Sequence, residues 1–94
     1  MSKLREAARD QSCVRCGKQD GTVVGAHYTG VRRLELGGGF GRKVHDMAMA
    51  HLCAECHRHM DGNRDRETRW EHSEEFLLMC VKTAIRLYDQ GVLK

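Results

Sequence analysis

Four cysteines fall in two pairs, Cys13-Val14-Arg15-Cys16 and Cys53-Ala54-Glu55-Cys56, with 36 residues between them. Two thiolates at i and i+3 of a tight turn can reach one ion together. Two such turns complete a tetrahedron. Zn²⁺ suits that arrangement, because it imposes no geometry of its own and binds sulfur at about 2.3 Å. Four thiolates leave no position for water, so this zinc is expected to be structural rather than catalytic. Redox-active pairs are the competing use of a lone CxxC, and the doubled spacing favours metal. The fifth cysteine, Cys80, falls on an apolar stripe and is expected in the core.

Two of the six histidines are tethered to these pairs. His27 stands eleven residues after Cys16, and His57 directly follows Cys56. A neutral imidazole can take a proton from water near pH 7. A second imidazole can hold a divalent ion. With a phosphate between them, the two would form a minimal set for metal-assisted phosphodiester hydrolysis.

These side chains need a scaffold. Residues 2–10 are good helix formers and predict a short N-terminal helix. Thr22 to Tyr28 is rich in β-branched residues and predicts a strand. Val31 to Leu36 reads as a second extended piece. Gly37 to Lys43 holds four glycines and must be a loop. Met47 to Leu52 leads into the second cysteine pair. A short helix is expected from Glu55 to about Met60, stopped near Gly62. Residues 61–72 are almost wholly polar and read as an exposed connection. The clearest helix follows, with Ser73 as N-cap and Glu74 and Glu75 in its first turn. Phe76, Leu77, Cys80, Val81, Ala84, Ile85 and Tyr88 form its apolar stripe, and Gly91 sits where a C-terminal cap belongs.

The composition explains why metal is needed. The chain has 94 residues, and Leu, Ile, Val and Phe number only 18 of them. A single domain with so few large apolar groups sits at the margin of stability. Net charge is only +3, so the low apolar content does not signal disorder. A bound zinc can add on the order of 10 kcal/mol of folding free energy. No run of residues is long and apolar enough to span a bilayer, and the N-terminus lacks the apolar core of a signal peptide. The expected location is therefore a reducing cytoplasm, with no membrane partner.

The motifs CVRCG, GAHY, GRKVHD and HLCAECHRHMD resemble the HNH (ββα-metal) nuclease pattern. The similarity is greatest to the YbcO-like prophage nucleases, and more distant to the Ref and NinG/Rap phage recombination nucleases. It covers nearly the whole chain, from LREAARD before Cys13 to the closing GVLK. It implies an α+β fold: a small zinc-stabilised ββα-metal, treble-clef-like domain spanning residues 1–94, with an N-terminal helix and a long C-terminal one. It implies a hydrolase, a DNA endonuclease encoded by a phage or prophage in a bacterial host. In it His27 activates water and His57 binds a catalytic Mg²⁺ or another divalent ion. Two positions depart from the pattern. Ala26 and Ala48 stand where such enzymes carry metal ligands. Asp46 and His45 are the nearest substitutes, with His51 and His59 further candidates, and Asp46 could equally cap a turn. A shifted register would make His27 the metal ligand and put Tyr28 at the base position.

Charge is uneven along the chain. Residues 1–45 carry net +5 and residues 46–94 net −2. Arg32-Arg33 and Arg42-Lys43 flank the glycine loop, where backbone N–H groups and cations together suit a nucleic-acid phosphate. DNA is the expected partner, read through its backbone. A homodimer would let one small site per copy cut both strands. The alternative function is a zinc-knuckle module that binds DNA or protein without catalysis.

Overall fold

The computed structural model describes residues 6–39, 41, 43–62 and 69–91. It is a small α+β unit built around one two-stranded antiparallel sheet. Strand β1 (Val24–His27) pairs with β2 (Met49–Leu52), with Val24 opposite Leu52 and His27 opposite Met49. Helix α1 (Ala54–Gly62) leaves β2 after Cys53, and helix α2 (Arg69–Asp89) packs on β2. Among the described residues, no helix is long and apolar enough to cross a membrane.

All four residues of β2 are buried. Side chains alternate across a strand, so Met49 and His51 share one face and Ala50 and Leu52 the other. Ala50 and Leu52 join Ala26, Phe76, Met79 and Cys80 in the main core. Met49 meets Leu87, with Ala7 packed beside it. Cys80 is a core residue, as expected from its place on the stripe, and burial pushes its thiol up to about 12.

Two elements differ from expectation. Val31 to Leu36 is not extended: after a turn at Val31 and Arg32, residues Arg33–Leu36 form a 3₁₀ turn, and Gly37 closes it at φ 92°. Gly30 and Tyr28 explain the turn. The Arg32 N–H donates to the Tyr28 hydroxyl at 2.9 Å, which draws the chain back on itself. A Cβ on Gly30 would lie 2.6 Å from Ser73 Oγ, and closer still to Tyr28, so only glycine fits that approach.

The second difference is Ser73, which is no N-cap. Helix α2 begins at Arg69, and Ser73 lies inside it, buried against the Tyr28 hydroxyl and accepting from the Val31 N–H at 3.2 Å. The buried face of α2 is consequently Ser73, Phe76, Met79, Cys80, Thr83 and Leu87. Thr83 belongs there because its hydroxyl accepts the His51 N–H at 3.1 Å. Val81, Ile85 and Tyr88, expected toward the core, are 53%, 57% and 58% exposed. The expected helix start at Ser73 thus falls one turn late, while Gly91 has the left-handed φ of 82° that a terminal cap requires. Of the expected N-terminal helix, Glu6 to Asp10 are described, and they are helical, ending in a 3₁₀ turn. Of the polar connection, residues 63–68 lie outside the described residues.

Candidate metal centre

The first cysteine pair sits on a turn built by its own backbone. Gly17, at φ 80°, lets its N–H return to the Cys13 carbonyl at 2.9 Å, while the Cys13 N–H donates to the Lys18 carbonyl at 2.8 Å. The Val14 N–H then donates to the His51 carbonyl at 2.9 Å and docks the turn on β2. The second pair spans the end of β2 and the first turn of α1. Its start is capped from outside, because the Ala54 N–H donates to Thr22 Oγ1 at 3.0 Å.

This brings all four Sγ atoms within 4.8 Å of one another. Cys16 Sγ and Cys53 Sγ are 3.7 Å apart. The edge of a tetrahedron with 2.3 Å Zn–S bonds is about 3.8 Å, so the spacing already suits zinc. Cys13, Cys53 and Cys56 are buried, and Cys16 reaches solvent. The four cysteines can hold a zinc ion, and the donor set is that of a closed structural site.

The electrostatics agree with a site that needs a dication. Burial pushes the Cys13 thiol up, but hydrogen bonds from the backbone of Cys53, Cys16 and Arg15 and from the Cys56 thiol outweigh it and hold it at about 6. Cys56 goes the other way, to about 12, through burial and the three neighbouring thiols, despite an opposing hydrogen bond from Arg15. One thiolate is thus favoured, and a second meets resistance that a metal ion would remove. Arg15 was not singled out by its spacing. It lies between the two cysteines of the first pair, donating from Nη1 to Cys56 Sγ at 3.7 Å and from Nε to Glu75 at 3.1 Å.

The other candidate residues are dispersed. His27 ends β1, and its Nε2 lies 2.9 Å from Asp46 Oδ1. His27 is the more enclosed partner, its side chain 13% exposed against 46% for Asp46. His57 lies in the first turn of α1, its N–H on the Cys53 carbonyl at 2.9 Å. Among the described residues, the four cysteines are the only group of three or more Cys, His, Asp or Glu side chains close enough for one ion, so His27, Asp46 and His57 do not form another. Tyr28 is buried with its hydroxyl on Ser73, a core role. His45 Nδ1 accepts the Met47 N–H at 3.0 Å. His51 is fully buried, its Nδ1 3.4 Å from Arg86 Nη2. His59 stacks on His72 with ring centroids 4.8 Å apart. Arg32, Arg33 and Lys43 are exposed, with Arg32 paired to Glu35 at 3.3 Å, and Arg42 lies outside the described residues.

The chain matches no protein-family model, no curated protein and no solved structure.

Proposed function

We propose that this chain is a small DNA endonuclease of HNH type, with the four-cysteine zinc as its brace and His27 as its general base. The observation that carries the reading is the 2.9 Å contact between His27 Nε2 and Asp46 Oδ1. A carboxylate beside one imidazole nitrogen fixes the tautomer and steadies the cation that forms on proton uptake. With Nε2–H donating to Asp46, the lone pair is on Nδ1. Nδ1 then takes the proton from the attacking water as the new P–O bond forms, and the bond to the 3′ oxygen breaks, its electron pair staying on that oxygen, which takes a proton from solvent. Arg32, Arg33, Arg42 and Lys43 would hold the flanking phosphates of the backbone.

The divalent ion implied by the resemblance would draw on His57 and Asp46. Mg²⁺ keeps several waters and takes substrate phosphate oxygens in addition to one or two carboxylates. The described side chains do not gather three donors for it, so each step above belongs to protein groups alone. Such an ion, when bound, supplies charge stabilisation to the phosphoryl oxygens. The treble-clef reading is supported by the order of elements, one knuckle before the hairpin and the other at the start of the following helix.

The test is nicking of supercoiled plasmid by zinc-loaded protein, with Mg²⁺, Mn²⁺ or no added ion. His27→Ala should lower the rate by about 100-fold or more, with zinc content unchanged. Full activity in that variant would overturn the assignment. A second reading, a zinc-knuckle module that binds without cutting, is favoured by Ala26 and Ala48. Both are buried, at positions where the HNH enzymes that the sequence resembles carry ligands. It predicts DNA binding that survives loss of His27, and no nicking with any ion.

A further inference from the structure

A chain with so little large apolar surface leaves a surprising share of it outside. Trp70, Leu78, Val81, Ile85 and Tyr88 of α2 are each more than half exposed, and Met47 is 47% exposed beside them. At 100° per residue the exposed groups of α2 lie on one side, opposite the face buried against β2. Trp70, Glu74, Leu77, Val81, Ala84 and Tyr88 follow one another at intervals of four and three residues. That alternation is the seam spacing of paired helices. The helix thus has two apolar faces, and the described residues of its own domain cover one of them. A groove of about 650 Å³ continues the outer face, between Val81, Ala84 and Ile85 on one wall and Leu36 and Met47 on the other.

We propose that this face is a self-association surface, on which two copies of the chain pack their α2 helices antiparallel about a twofold axis near Met79. In that register the seam matches itself layer by layer. Trp70 meets Tyr88 of the second copy, and Leu77 meets Val81 of the second copy. Glu74, the one charge in the seam, meets the small Ala84 of the second copy, leaving its carboxylate room to turn toward Lys82 there. Charge selects the direction. On its outer side the first half of α2 carries Glu71 and Glu74 and the second half Lys82 and Asp89, while Glu75 and Arg86 are engaged within the domain by Arg15 and Ser12. An antiparallel pair keeps the two Glu74 side chains apart and opposes the two helix dipoles. A parallel pair would stack Glu74 on Glu74. Six half-exposed large side chains offer on the order of 600 Å² per copy, near the ~800 Å² each partner gives to a standard interface. The proposal rests on the outer face of α2 and the groove beside it, and is independent of any nuclease activity.

Sedimentation equilibrium of the zinc-loaded chain tests it. The expected mass is twice 10.7 kDa. Val81→Glu with Ile85→Glu should return the mass to that of one chain, with helix content and zinc stoichiometry unchanged, since both side chains are exposed in the single copy. In an otherwise unaltered chain, Leu78→Cys should cross-link to itself on mild oxidation, being near the axis, whereas Tyr88→Cys should not. A monomer even at roughly 1 mM chain, a dimer indifferent to the double substitution, or self-cross-linking at position 88 in place of 78 would each overturn the proposal.

Discussion

Asp46 Oδ1 lies 2.9 Å from His27 Nε2, although 18 residues, the whole glycine loop among them, separate the two in the chain. The pairing follows from the hairpin. His27 is the last residue of β1 and Met49 its partner on β2, so the turn that precedes Met49 is carried back beside the imidazole. In the proposed nuclease, Asp46 positions His27 through this contact. Asp46→Asn keeps the shape but loses the charge that steadies the imidazolium. The nicking rate should fall by about 10-fold or more, with zinc content and helix content unchanged. An unchanged rate would separate Asp46 from the chemistry.

Zinc should be inseparable from folding. The described core contains many small residues, including Ala8, Ala26, Ala48 and Ala50, and few large ones. The four thiols join the N-terminal turn, the end of β2 and the start of α1 at one point. Strong chelator should abolish the cooperative thermal transition and most helical circular dichroism, and added zinc should restore both. A melt untouched by chelator would contradict this account.

Acid should release the metal. Cys13 is held at about 6 against an ordinary value of 9.0. Its folded-state value is depressed, so its contribution to the folded cluster is complete above pH 9, wanes as pH falls, and is gone below about 6. Protons compete with metal at the other three thiols in the same direction. In the cobalt-substituted protein, thiolate-to-metal absorption should persist at neutral pH and fade on acidification. Absorption that strengthens toward acid would reverse the sign of this argument.

The Tyr28–Ser73 contact predicts stability effects far from any metal. Tyr28 also meets the Phe76 ring edge-on, with centroids 5.4 Å apart, so one side chain joins β1 to α2. Ser73→Ala leaves the Tyr28 hydroxyl and the Val31 N–H without this partner and should cost about 1–3 kcal/mol. Gly30→Ala forces a side chain into the same contact and should cost about as much. For a domain of this size each loss lowers Tm by about 4–8 °C per kcal/mol. Thermal melts of the zinc-loaded variants would show it, and an unchanged Tm for both would place Gly30 and Ser73 outside the core.

The spacing of Cys13, Cys16, Cys53 and Cys56 was readable without coordinates, because metal geometry constrains i and i+3 pairs more tightly than packing constrains most residues. The strand ending at His27, the short helix after Cys53, the place of Cys80 in the core and the glycine stop at Gly91 were legible for similar reasons. Each is written in local backbone preference or periodicity. Other features needed the fold. The turn at Arg33–Leu36 depends on the Tyr28 hydroxyl. The early start of α2 depends on Ser73 finding a partner 45 residues away, and so does the rotation that buries Thr83 and exposes Val81. Asp46 meets His27 only because the hairpin register returns it there. Residue types and their spacing establish which groups can bind metal or carry a proton. Long-range hydrogen bonds and strand register decide which of them meet, because those contacts join segments whose local sequences contain no record of one another.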